Sequence, residues 1–162
     1  MKELVIDVSH WDGDIDLAAW KRKRGLWGVI IKAGGNETNL GRYKDGQFEN
    51  SYKKAVAAGL HIGAYYYTVT TDNANAKKDA EHFADLLDGH NFDLPCYMDV
   101  EDPRQFALSS RALTDVIKTF CDTLGNRGYY PGLYTGGSAW LNNMYPEELR
   151  KYAIWIAWWK AT

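Results

Sequence analysis

The sequence predicts an α/β fold in which parallel strands alternate with helices and curl into a barrel. Three observations predict it. Short β-branched runs alternate with segments whose apolar residues recur at helical spacing, along nearly the whole chain. Repeated strand–helix–strand order implies right-handed crossovers and a parallel sheet buried on both faces. The first strand leads into Ser9-His10-Trp11-Asp12-Gly13, not into a phosphate-binding glycine fingerprint, so nothing favours an open doubly wound sheet.

Each element has its own signal. Leu4-Val5-Ile6-Asp7-Val8 is a first strand. Asp16 caps a helix from Leu17 to about Arg24, ended by Gly25. Trp27 to Ala33 is a second, buried strand, and Gly34-Gly35 reads as the turn after it. Tyr52, Ala55, Val56 and Gly59 follow at helical spacing, and His61 to Tyr67 is a third strand. Ala76, Ala80, Phe83, Ala84 and Leu87 form one helix face before a fourth strand, Cys96 to Val100. Leu113, Val116, Ile117, Phe120 and Leu124 form another, behind Ser109 or Ser110 as N-cap. Gly132 to Thr135 is a fifth strand. The Gly136-Gly137-Ser138-Ala139-Trp140 that follows lacks the last glycine of a nucleophile elbow and reads as a tight βα turn. A short helical piece from Pro146 to Arg150 precedes a sixth strand, Ala153 to Ala157. The sequence then reads Trp158-Trp159-Lys160-Ala161-Thr162. Six strands do not close a barrel of eight, so residues 1–162 are expected to form one domain lacking its last strands.

Bulk properties narrow the function. At 46% hydrophobic and 25% charged residues the composition is that of a soluble globular domain. A net charge of −2 gives no reason to expect nucleic acid or an anionic membrane as partner. The longest basic run, Lys21 to Arg24, sits at a helix end where the dipole favours it. No apolar run approaches the ~20 residues that cross a bilayer. Cys96 and Cys121 are too few for a disulfide framework and are expected to be free, buried thiols. Met1 leads straight into a strand, so no signal peptide is read and the expected location is the cytoplasm. His10, His61, His82 and His90 show no metal-type spacing, and neither metal nor cofactor is expected. Seven Trp, eleven Tyr and five Phe suit flat sugar faces, where rings cover C–H surface and polar tips reach hydroxyls.

In a barrel of βα units, reactive groups gather at the C-terminal ends of strands. Asp7 lies near the end of the first strand, and Asp99 and Glu101 at the end of the fourth. Residues two apart on a strand share a face, so Asp99 and Glu101 point together. Carboxylates crowded in a cleft cannot all ionise, and one keeps its proton. A retained proton beside a spare negative charge is what glycosidic cleavage requires.

The segments Ile6 to Gly13, Gly28 to Ala33, Gly63 to Tyr67, Met98 to Glu101, Gly132 to Thr135 and Ile154 to Ala157 resemble, in order, those of glycoside hydrolase family 25 lysozymes. These are the Chalaropsis-type muramidases of phage endolysins and bacterial autolysins. The resemblance covers nearly the whole chain. It implies a TIM-like (β/α)5(β)3 barrel and hydrolysis of the β-1,4 bond between N-acetylmuramic acid and N-acetylglucosamine in bacterial peptidoglycan. Under it, Glu101 matches the general acid, Asp99 its partner carboxylate, and Asp7 the first-strand acid on the floor of the site. Tyr65, Tyr67, Tyr134 and Trp155 match sugar-contacting aromatics, and Lys32 the lysine after the second strand. The family often reads Lys-Ala-Thr-Glu-Gly where this chain has Lys32-Ala33-Gly34-Gly35-Asn36-Glu37, so that loop is expected to be reshaped. The resemblance also implies a further C-terminal cell-wall-binding module, and synthesis in the cytoplasm followed by holin- or lysis-dependent release to the wall. A glycan-binding barrel without activity is the rival reading. A chitinase is disfavoured, because its D-x-x-D-x-D-x-E run is absent at the fourth strand.

Overall fold

The computed structural model describes residues 2–158. Met1 and the closing Trp159-Lys160-Ala161-Thr162 lie outside them. The elements run β1 (Leu4–Val8), α1 (Leu17–Arg24), β2 (Leu26–Glu37), β3 (Gly41–Lys44), α2 (Phe48–Ala57), β4 (His61–Thr68), α3 (Asn73–Leu87) and β5 (Cys96–Val100). They continue with α4 (Pro103–Phe106), α5 (Ser110–Asn126), β6 (Pro131–Gly136), α6 (Gly137–Asn142), α7 (Pro146–Leu149) and β7 (Ala153–Ala157).

Six parallel strands follow the order β1-β2-β4-β5-β6-β7 and curl into a half-barrel, as the alternating pattern predicts. Helices cover the convex side. Tyr66 of β4 points towards them, its ring 5.3 Å from Phe83 of α3 and 6.1 Å from Phe120 of α5. With Leu87, Met98, Ile117 and Leu124, these side chains are fully buried. Each contributes roughly 1.5–3 kcal/mol. The neighbours of Tyr66, Tyr65 and Tyr67, face the concave side, because side chains alternate along a strand.

Local signals set the helix ends. The Asp16 carboxylate accepts the Ala19 N–H at 2.8 Å, and Gly25 ends α1 in the left-handed region at φ 68°. Ser9 caps a single 3-10 turn, His10–Asp12, and Ser109 caps α5.

Three expectations need correction. Gly34-Gly35 is strand, not turn: β2 runs through it to Glu37 and pairs antiparallel with β3, adding a strand the sequence did not announce. A Cβ at Gly34 would lie 2.1 Å from the Tyr43 carbonyl oxygen, and one at Gly35 2.7 Å from that of Tyr67. These glycines therefore permit close approach of backbones. Val56 is 55% exposed rather than core-facing, and Gly59 lies past the end of α2 at φ 62°. Cys96 and Cys121 are free and buried, and Gly136-Gly137 makes the tight βα turn.

Candidate active site

Strand register assembles the site. Tyr67, Asp99, Tyr134 and Trp155 are direct partners across β4, β5, β6 and β7 and form one row of side chains. Lys32, Tyr65 and Tyr97 form a neighbouring row across β2, β4 and β5. Asp7 stands at the end of the sheet on β1, beside Ile30. Glu101 immediately follows β5.

The segment carrying Glu101 is tied down on both sides. The Thr135 hydroxyl donates to the Val100 carbonyl at 2.8 Å. The Asp102 carboxylate caps α4 and is gripped by Arg104, whose guanidinium holds the acid below its ordinary range. Gln105, fully buried, donates to the carbonyls of Thr68 and Thr70 at 3.0 and 3.2 Å. Glu101 itself stays exposed.

Two adjoining hollows share Tyr65, Asp99 and Glu101. The smaller, about 110 Å³, is completed by Asp7, Tyr134 and Trp155. The larger, about 540 Å³, extends past Lys32 and Tyr67 to the β2–β3 hairpin and the 3-10 turn. The acid pair stands at their junction, and the structure brings together every residue singled out above: Asp7, Lys32, Tyr65, Tyr67, Asp99, Glu101, Tyr134 and Trp155.

Electrostatics divide the acids. Asp99 is 5% exposed, and burial pushes its carboxyl well above the usual range. The charges of Glu101 and Asp7 push the same way, while Lys32 opposes them. Asp99 and Glu101 line both hollows together, so the two carboxyls face the same space. Asp7 is also raised, first by loss of hydration and then by Asp12, although its side chain reaches solvent. Lys32 is 6% exposed, its ammonium 5.5 Å from the ring centroids of both Tyr43 and Tyr67. Burial raises the phenols of Tyr67 and Tyr134 to about 12, so they act as neutral hydroxyls. Trp155 is held edge-on by Tyr134 at 4.8 Å and by Tyr97 at 5.4 Å.

Sequence reasoning assigned no role to several lining residues. Asp45, with a fully buried side chain, accepts both the backbone N–H and the ring Nδ1 of His10, the latter at 2.6 Å. Glu37, which the altered loop motif left without a role, lines the larger hollow and accepts the Tyr43 hydroxyl. Tyr43 and Leu40 became visible only with the unannounced hairpin. Among the described residues, no group of three or more His, Cys, Asp or Glu side chains is arranged to hold a metal ion.

Comparison with known proteins sets this geometry in a family. The chain is 30% identical over 152 residues to an autolytic lysozyme of Clostridium acetobutylicum, covering 94% of this chain and 44% of the relative. It is 28% identical over 166 residues to lysozyme M1 of Streptomyces globisporus, covering 95% and 54%. It thus spans about half the length of these curated relatives. Its structure superposes on that of a bacterial lysozyme from Streptomyces coelicolor with a TM-score of 0.80 and 27% identity, over 100% of this chain and 77% of the other. The model of the glycosyl hydrolases family 25 matches residues 6–162, and the chain belongs to that family.

Proposed function

We propose that this chain is an N-acetylmuramidase that hydrolyses the β-1,4 bond between N-acetylmuramic acid and N-acetylglucosamine in bacterial peptidoglycan. The observation that carries this reading is the acid pair at the junction of two aromatic-lined hollows. A glycan crossing the junction has rings on both sides of the bond at the acids, which suits cleavage within a strand. Membership of the family and the lysozyme relatives support the reaction class.

Burial and neighbouring charge favour the protonated form of Asp99. A saccharide lying over Glu101 displaces water from the cleft. The proton passes to Glu101 as the substrate's acetamido N–H takes up the Asp99 carboxylate. Glu101 then protonates the leaving oxygen as the glycosidic C–O bond breaks. The acetamido oxygen attacks the anomeric carbon, and Asp99 stabilises the charge on the resulting ring. Water opens that ring with Glu101 as base, giving net retention. Asp7 adds negative charge beneath the developing cation, and the aromatic row with Lys32 holds the sugar faces. Activity falls as rising pH removes the Asp99 proton, at a pH above the ordinary carboxylate range.

Glu101→Gln tests the assignment. Release of reducing ends from purified walls should fall by about a thousandfold, while wall binding persists. Retained turnover would remove Glu101 from its role. Wall binding by the parent chain without release of reducing ends would favour the glycan-binding reading. The anomeric configuration of the first product, followed by proton NMR, distinguishes neighbouring-group attack with retention from direct attack by water with inversion.

A further inference from the structure

The larger hollow continues well beyond the acid pair, and its far end has features the reaction does not use. Its lining includes the 3-10 turn carrying His10 and Trp11 and the β2–β3 hairpin with Leu40 at its tip. Trp11 is 83% exposed and Leu40 65%; among the described residues no large apolar side chain is barer than Trp11. Exposing an indole face to water is unfavourable unless something covers it.

The turn beneath the indole is fixed. The Ser9 hydroxyl accepts the Trp11 N–H at 3.2 Å, and the Asp12 carboxylate accepts the Ser9 N–H at 2.8 Å. The buried Asp45 holds His10 by backbone and ring together, and the His10 ring packs against the indole at 4.6 Å. A bare ring on a clamped backbone is a preorganised surface, and a ligand covering it costs little ordering of the chain.

We infer that Trp11 and Leu40 form a distal glycan-binding subsite, which clasps a hexopyranose of the same strand whose bond is cleaved at Glu101. The inference rests on the proposed glycosidase reading. The occupant follows from continuity: Trp11, Leu40, Tyr65, Asp99 and Glu101 line one uninterrupted hollow, so a strand lying over the acids runs on to Trp11 and Leu40. The indole face covers the axial C–H face of the sugar, and the leucine adds apolar contact. This subsite adds affinity for the polymer without touching the reacting atoms.

Binding is measured without turnover in the Glu101→Gln background, by calorimetric titration with peptide-free glycan strands. Trp11→Ala should weaken affinity about tenfold, equivalent to about 1.4 kcal/mol, while Trp11→Phe, which keeps a ring, stays within about threefold of the parent. With Glu101 intact, Trp11→Ala should raise KM about tenfold and leave kcat within about twofold. The exposed position lets the variant fold, which a thermal melt checks. Affinity unchanged in Trp11→Ala, or as weak in Trp11→Phe as in Trp11→Ala, overturns the subsite. If glycan strands bind through Trp11 but the Glu101-containing chain releases no reducing ends, the subsite stands and the muramidase reading falls. If cleavage proceeds and Trp11→Ala leaves KM unchanged, the reverse holds.

Discussion

At Asp99 the side chain is buried, and its Oδ1 has no hydrogen-bond partner among the described residues. Folding raises its carboxyl above the unfolded value near 3.8, by burial first and by Glu101 next. Between the unfolded and folded values the native chain binds more protons than the unfolded one. Stability therefore falls as pH rises through that window, and the penalty is absent below it. Asp99→Asn removes the charge and should raise Tm at pH 7 by about 2–4 °C, the shift that about 1 kcal/mol gives a domain of this size. The gain should vanish as pH approaches 3.8, and lysis should be lost. Equal gains at both pH values would show that charge is not the cause. Asp7, Asp99 and Glu101 were legible in the sequence because strand ends and two-residue alternation are local properties. The clamp of Asp45 on His10 was not, because its partners lie 35 positions apart and neither sits in a pattern that points to the other.

The β2–β3 hairpin shows the same limit for an element. A glycine pair after a buried run looks the same whether it bends the chain or admits a neighbouring backbone, and here it admits one. The hairpin is fastened by Asp79 of α3, which is fully buried beside an otherwise apolar face. Its carboxylate accepts from Asn36 of β2 at 2.9 Å, Arg42 of β3 at 2.7 Å and Thr68 of β4 at 2.6 Å. Asp79→Ala should leave the buried Thr68 hydroxyl, and the partly covered Asn36 and Arg42, without their common acceptor and cost about 3 kcal/mol. Tm should fall by about 6–12 °C. Hydrogen exchange should accelerate in β3 before β4 and β5, since β3 pairs only with β2 among the described residues. KM for glycan should rise, because Glu37, Leu40 and Tyr43 wall the cleft. A loss of Tm below about 2 °C would make the carboxylate a bystander.

For the whole molecule, alternation of strands and helices was enough to order the parallel sheet, since right-handed crossovers leave few alternatives. The convex core was equally legible: the apolar faces of α3 and α5 are buried residue for residue as their spacing predicts. Those faces make the core a single body that contains both thiols. Cys96 lies on β5, where burial lifts its thiol to about 12, and Cys121 lies on α5, where burial also raises it. Cys121 faces the Gly132 carbonyl of β6 at 3.7 Å, so exposing it requires parting helix from sheet. Neither thiol can be reached by fraying at a surface, and neither exists as thiolate at neutral pH. Both should therefore resist a disulfide reagent such as DTNB in the native state. In a urea series they should react together, along the same transition as tryptophan fluorescence, because only global opening exposes them. One thiol reacting early, with the other protected, would mean that α5 and the sheet separate independently and that the core is two cooperative units.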